Sequence, residues 1–163
     1  MKTLMYSALL FGIACGALAQ VGETKKAPFT VTISSAKAEY KPGEPVMIHI
    51  VLKSISPNVL QVPEERHLGR GEMNYRIIAL KMDGSSIPDS DFMQRRKAGH
   101  APEHHSIIDK DLNYGETIEE DADVKNSADI SVPGDYIVQA ERSDYQWGSL
   151  HIRSNKLLIH VVP

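Results

Sequence analysis

The sequence predicts an all-β protein, an antiparallel β-sandwich of about seven strands. Three observations carry that expectation. From Phe29 onward, apolar residues recur with a period of two, as they do on a strand with one buried face. Turn dipeptides punctuate these runs: Pro42-Gly43, Asp83-Gly84 and Pro133-Gly134. No segment offers an amphipathic helix of three turns, and short strands separated by turn residues are the pattern of a sandwich.

The chain has 163 residues, and its first part is not expected to belong to the fold. Lys2 precedes an apolar run from Leu4 to Leu18, which ends in Ala17-Leu18-Ala19 before Gln20. A basic start, a short apolar stretch and a small-x-small end predict a secretory signal peptide over residues 1–19, cleaved after Ala19. The run is shorter than the roughly 20 residues of a comfortable membrane span. No later run is longer, so no transmembrane segment is expected, and the protein should be secreted or periplasmic. Gly12-Ile13-Ala14-Cys15 has the look of a lipobox, but Gly12 stands where an aliphatic residue is usual. Cleavage near Ala19 is therefore preferred to lipid anchoring through Cys15. That cysteine is the only one, so a mature chain has no disulfide, no thiolate metal ligand and no thiol chemistry.

Residues 20–28 are small and polar and read as a flexible linker. Residues 29–163 read as one domain, and a mature chain of roughly 144 residues can bury enough surface to need no covalent staples. Eighteen Lys and Arg against 21 Asp and Glu leave a formal net charge of −3. The charge is spread along the chain, with neither the basic footprint of nucleic-acid binding nor a polybasic membrane patch.

Each strand is read from its alternation. Phe29, Val31 and Ile33 share one face, with Thr residues on the wet face. Pro42-Gly43 predicts a type II turn, because glycine takes the positive φ required there. In the next strand Val46, Ile48, Ile50 and Leu52 are assigned to the core, and Met47, His49 and Val51 to the other face. Residues 54–74 read as irregular, with Pro57, Pro63, Gly69 and Gly71. Residues 73–82 are a strand candidate ended by Asp83-Gly84. Residues 85–113 read as one long polar loop, the kind that is functional or disordered in a compact domain. Tyr114 to Ile118 suggests a turn and a short strand, followed by an acidic stretch from Glu119 to Asp129. The last strand spans residues 156–162, with Leu157, Ile159 and Val161 on one face.

Between them lies Asp129-Ile-Ser-Val-Pro-Gly-Asp-Tyr-Ile-Val-Gln-Ala-Glu-Arg142. Pro133-Gly134 turns the chain into a strand whose face carries Tyr136, Val138 and Ala140. A tyrosine at the start of a strand can place its ring at the core edge while its hydroxyl reaches back to the backbone. This resembles the tyrosine corner of immunoglobulin-like sandwiches. Val138 stands where an antibody domain has its second cysteine. The order Tyr40-Lys-Pro-Gly-Glu-Pro-Val46, Asp83-Gly84, Gly115-Glu-Thr-Ile118, Ser131-Val-Pro-Gly-Asp-Tyr-Ile-Val-Gln139 and Ser154-Asn-Lys-Leu-Leu-Ile-His-Val161 resembles secreted bacterial immunoglobulin-like β-sandwich proteins. The resemblance covers nearly all of residues 29–163. It implies an immunoglobulin-like architecture without a disulfide, and an exported protein. It implies no catalytic residues, because the matching positions are turn and strand positions.

Two constellations are candidate sites. His100, His104 and His105 fall with Glu103 in six residues of the long loop, and imidazoles suit copper or zinc. Pro102 prevents a helix from bringing His100 and His104 to one face, and a solvated loop is the plainer reading. Tyr145 and Trp147 follow the tyrosine-led strand, in what reads as a loop together with Arg142 and Asp144. An exposed Tyr/Trp pair can dock a protein or stack on a carbohydrate. Glu119-Glu-Asp-Ala-Asp123 could offer carboxylates to calcium, but it lacks the glycine and spacing of an EF-hand loop and reads more simply as a charged edge. His49 and His160 read as surface residues. No nucleophile elbow, zinc-helix motif or phosphate loop is present. Glu64 and Glu65, near His67, have no scaffold to set a glycosidase spacing.

The expectation is a secreted, monomeric, non-enzymatic immunoglobulin-like binding or accessory module at the cell envelope or outside the cell. It would require no cofactor and would take an unidentified protein or carbohydrate partner. The alternatives are a periplasmic copper or zinc protein using His100, His104 and His105, and a protease-inhibitor-type sandwich.

Overall fold

The computed structural model describes residues 27–66, 74–99, 106–144 and 150–163. In chain order its strands are β1 (Phe29–Ser34), β2 (Glu39–Tyr40), β3 (Met47–Ser54), β4 (Leu60–Arg66), β5 (Arg76–Lys81), β6 (Ser106–Leu112), β7 (Thr117–Asp123), β8 (Gly134–Asp144), β9 (Leu150–Arg153) and β10 (Leu157–Val161). One short helix, α1 (Asp91–Lys97), precedes β6, and a 3-10 turn, Val124–Asn126, follows β7. The chain is thus mostly β, with more and shorter strands than the sequence suggested.

The alternation read from the sequence places the first sheet. β1 and β3 pair antiparallel, with Val31 opposite Leu52 and Ile33 opposite Ile50. β7 lies on the other side of β3, with Ile118 opposite Leu52. The inward set Phe29, Val31, Ile33, Ile48, Ile50, Leu52 and Ile118 is buried, while Met47 is exposed. Each such side chain taken from water contributes about 1.5–3 kcal/mol. The second sheet runs β2-β10-β8-β5, with β9 beside the far part of β8. Its pairings are antiparallel except for the short β2–β10 contact, where Val161 lies opposite Tyr40. Tyr136, Val138, Ala140, Ile159 and Val161 face the first sheet, and the apolar faces join in one core.

Local chemistry fixes the turns. Glu44 N–H donates to the Lys41 carbonyl at 3.1 Å, and Gly43 has φ +83°. That is the expected type II turn, with glycine at its left-handed position. Tyr136 Oη donates to the Val132 carbonyl at 2.5 Å, four residues upstream, as the sequence anticipated. Asn155 links the two sheets. Its Oδ1 accepts from Ile33 N–H at 2.8 Å and its Nδ2 donates to the Ile33 carbonyl at 3.0 Å, so one side-chain amide satisfies both outward backbone groups of Ile33 on the edge of β1.

Four expectations need correction. The stretch 54–74 is not irregular throughout, because β4 occupies Leu60–Arg66. Pro63 argued against a strand, but β4 pairs only with β6, in a two-stranded ribbon. Proline's missing N–H is tolerated where a strand has a free edge. The stretch 85–113 is not one long loop, since it holds α1 and β6. Helix α1 is too short to declare itself by periodicity, and β6 finds its partner some 45 residues back. The short strand expected to end at Ile118 runs on through the acidic stretch: β7 spans Thr117–Asp123 and is a charged edge of the first sheet, as the carboxylates suggested. Finally, β8 continues through Arg142 to Asp144 and pairs with β9, where a loop was expected.

Candidate functional site

The residues singled out from the sequence, His100, His104 and His105 together with Tyr145 and Trp147, lie outside the described residues. Among the described residues, no group of three or more His, Cys, Asp or Glu could hold a metal ion. The acidic stretch illustrates why. On β7 the side chains alternate, so Glu119 and Asp121 face outward toward His49, at 3.5 Å and 2.9 Å. Glu120 points the other way, and Asp123 accepts from Val46 N–H at 3.0 Å and from Lys125 N–H at 3.1 Å. These carboxylates do not converge. His49 and His160 are half-exposed, as expected for outer-face residues, and His160 pairs with Asp135.

The sequence reading missed a polar cluster inside the core. Arg142 continues the inward face of Tyr136, Val138 and Ala140 and is only 3% exposed. Glu120 continues the inward face of Ile118 and Ala122. The period-two rule, extended by one step on each strand, would have found both. Arg142 Nη2 donates to the Pro63 carbonyl of β4, and the guanidinium lies 5.3 Å from the centre of the Tyr75 ring. Asn74 Nδ2 donates to Glu120 Oε1 at 2.9 Å. Tyr75 Oη, Glu120 Oε2 and Arg142 Nε and Nη1 are buried with no hydrogen-bond partner among the described residues.

Burial dominates the ionisation of this cluster. Desolvation pushes the Tyr75 hydroxyl up to about 12, against the opposing charge of Arg142. Desolvation also raises the Glu120 carboxyl above its ordinary range; the Asn74 hydrogen bond and the Arg142 charge oppose the shift without cancelling it. The Arg142 bond ties β4 to the second sheet, and the Asn74 bond ties the segment leading into β5 to β7 of the first.

A second network lies on the outer face of β8. Glu141 is 4% exposed, although it points away from the core. Arg153 Nε donates to its Oε2 at 2.7 Å, and His151 Nδ1 and Arg76 Nη1 approach its Oε1 at 3.5 Å and 3.9 Å. The Arg153 hydrogen bond, aided by these neighbouring positive charges, holds the Glu141 carboxyl below its ordinary range. Ser143 Oγ lies 3.1 Å from His151 Nδ1. Serine, histidine and a carboxylate are thus adjacent, but Ser143 and Glu141 face the same ring nitrogen. A hydrolytic triad needs one imidazole nitrogen for the nucleophile and the other for the acid. The arrangement cannot relay a proton in that way.

The described surface has an open cleft of about 580 Å³ beside this network. It is lined by the continuous run Asn74–Leu80, by Ile87, Phe92 and Met93, and on its polar side by Asp89, Lys97, Glu141 and Ser143. Seven consecutive residues, five of them in β5, can line one cleft only if it runs along the side of the strand. The opposite wall is held in place. Ser90 Oγ caps α1 by accepting from Met93 N–H at 3.2 Å and itself donates to the Asn126 carbonyl. Lys97 pairs with Asp89 at 2.5 Å, and Asp129 N–H donates to the Pro88 carbonyl at 3.0 Å.

Comparison of the chain with protein-family models, with curated proteins and with solved structures found no match. Among the described residues, no helix is long and apolar enough to cross a membrane.

Proposed function

We propose that the protein is an exported, non-enzymatic binding module built on an immunoglobulin-like β-sandwich, with the cleft along β5 as its binding surface. The cleft carries this reading. It combines an apolar lining of Ile78, Leu80, Ile87, Phe92 and Met93 with a few fixed polar groups, the usual composition of a binding site. The walls are a strand of the main sheet and a helix capped and tethered at its base, so little ordering is needed on binding. The immunoglobulin-like part of the reading is supported by the shared core of the two main sheets, by the Tyr136 hydroxyl bond and by the motif order of the sequence. Export is supported by the character of residues 1–19.

A thermal-shift screen of the chain from Gln20 against peptides and oligosaccharides tests the reading. A ligand at 100 times its Kd stabilises the folded state by about 2.7 kcal/mol. The expected result is a ligand that raises the melting temperature of the wild type but not of Met93→Lys, which puts a charge on the cleft wall. A ligand whose shift survives Met93→Lys would place binding elsewhere and overturn the choice of surface. Export is checked by the N-terminus of the protein made from the full chain in a bacterial host, which should begin at Gln20.

A further inference from the structure

The two sheets end in several edge strands, β1 and β5 among them. On β1 the Asn155 amide takes up the outward N–H and C=O of Ile33. Among the described residues, no side chain does this along β5. β5 pairs with β8 on one side, and on the other only its C-terminal end is engaged: Lys81 N–H donates to the Ser85 carbonyl at 3.0 Å, and Leu80 bridges Ser86. The Lys81 bond fixes which backbone groups point outward. Along a strand, alternate residues direct N–H and C=O to the same side. With Lys81 pointing away from β8, Ala79 and Ile77 do so too. The opposite strand agrees: Ala140, which faces Ile77, directs its own backbone to Ser154 on the far side of β8. Among the described residues, the outward N–H and C=O of Ile77 and the outward N–H of Ala79 have no partner, and they face the 580 Å³ cleft.

We propose that β5 is a strand-addition site: an extended peptide segment of a partner protein pairs antiparallel with residues 75–79, between the strand edge and α1. This rests on the cleft reading above and names its occupant. Main-chain bonds to Ile77 and Ala79 supply attraction that does not depend on sequence. Side chains supply selectivity. Peptide residues on one face meet Ile87, Phe92 and Met93, which favour apolar side chains. At the rim, Arg76 is 74% exposed and only 3.9 Å from a Glu141 already held by Arg153, and Lys81 is exposed at the other end. The exposed charges at the two ends of the edge are positive, so the preferred segment is apolar over the cleft wall and acidic at its ends.

Selection of a random twelve-residue peptide library on phage against the chain from Gln20 tests this. The comparison is Ile77→Pro, which removes one outward N–H and no bond to β8. The expected peptides are apolar at their centre and acidic at their ends, bind Ile77→Pro at least tenfold more weakly, and slow amide hydrogen exchange at Ile77 and Ala79. Arg76→Glu, which leaves the backbone intact, should reverse the charge preference of the selected peptides whether or not Ile77→Pro folds. Peptides that bind without protecting the Ile77 and Ala79 amides would overturn strand addition and leave the cleft reading standing. Peptides unaffected by Met93→Lys as well would overturn both. Enrichment of no peptide would overturn strand addition, as would a wild-type dimer that Ile77→Pro dissolves, since the occupant would then be a second copy.

Discussion

Replacing Tyr136 by Phe isolates the hydroxyl that ties the start of β8 to the turn before it. The ring is buried and the Oη donates to the Val132 carbonyl. Phe keeps the ring, so no cavity opens, and the loss is that of one hydrogen bond, about 0.5–1.5 kcal/mol net. Val132 is 63% exposed, so water can reach its carbonyl and no buried acceptor is left stranded. The expected cost is therefore about 1 kcal/mol, or roughly 4 °C in Tm for a domain of this size. Tyr136→Ala also removes the ring from between the sheets and should cost about 3–5 kcal/mol. Urea unfolding followed by far-ultraviolet circular dichroism measures both, and the midpoint should move while the slope stays constant. A Phe variant as stable as the wild type would mean that the corner does not hold the strand. A Phe variant as weak as the Ala variant would mean that the hydroxyl, not the packed ring, carries the site. Either result refutes the reasoning.

Removing Arg142 should be among the most damaging changes of a charged residue. Arg142→Ala opens a hole under Tyr75 and removes the donor to the Pro63 carbonyl, at about 2–4 kcal/mol in a denaturation experiment. Lys at this position cannot reproduce the planar fork and should recover less than half of that loss. Glu120 and Glu141 should respond to pH with opposite sign. The carboxyl of Glu120 is raised in the folded state, so its ionisation weakens the fold as pH rises through and above the unfolded value near 4.3. Glu120→Gln should therefore stabilise the protein at pH 7 and do nothing at acid pH, read as a difference between two pH-dependent melting curves. Glu141 is lowered, so its contribution is complete above that value and is lost as pH falls through the folded one. Glu141→Gln should cost stability at pH 7 and nothing in acid. Gly43→Ala has open space around the added Cβ but forces a side chain to φ +83°, and should cost about 1 kcal/mol in the same melts.

Much of the fold was legible in the chain because alternation is local. Phe29, Val31, Ile33, Ile48, Ile50 and Leu52 declare an inward face through their spacing alone, and all are buried. Pro42-Gly43 and the hydroxyl of Tyr136 could be read from a few neighbouring residues, because a left-handed glycine and a four-residue reach need nothing distant. What the sequence left open depends on partners far along the chain. β4 is a strand because β6 lies beside it, and no feature of Leu60 to Arg66 foretells that pairing. Arg142 looks like a loop residue until β9 extends β8 past it, and Glu120 looks like one carboxylate among several until the two sheets close over it. The cleft arises last of all, when α1, invisible by periodicity, comes to rest beside an edge of β5 that no strand among the described residues covers. Sequence alone determined which face of each strand is apolar, since side-chain direction follows from backbone geometry. Only the tertiary structure decided which edges meet and which stay open, because hydrogen-bonded pairing joins segments whose contact energy no local pattern contains.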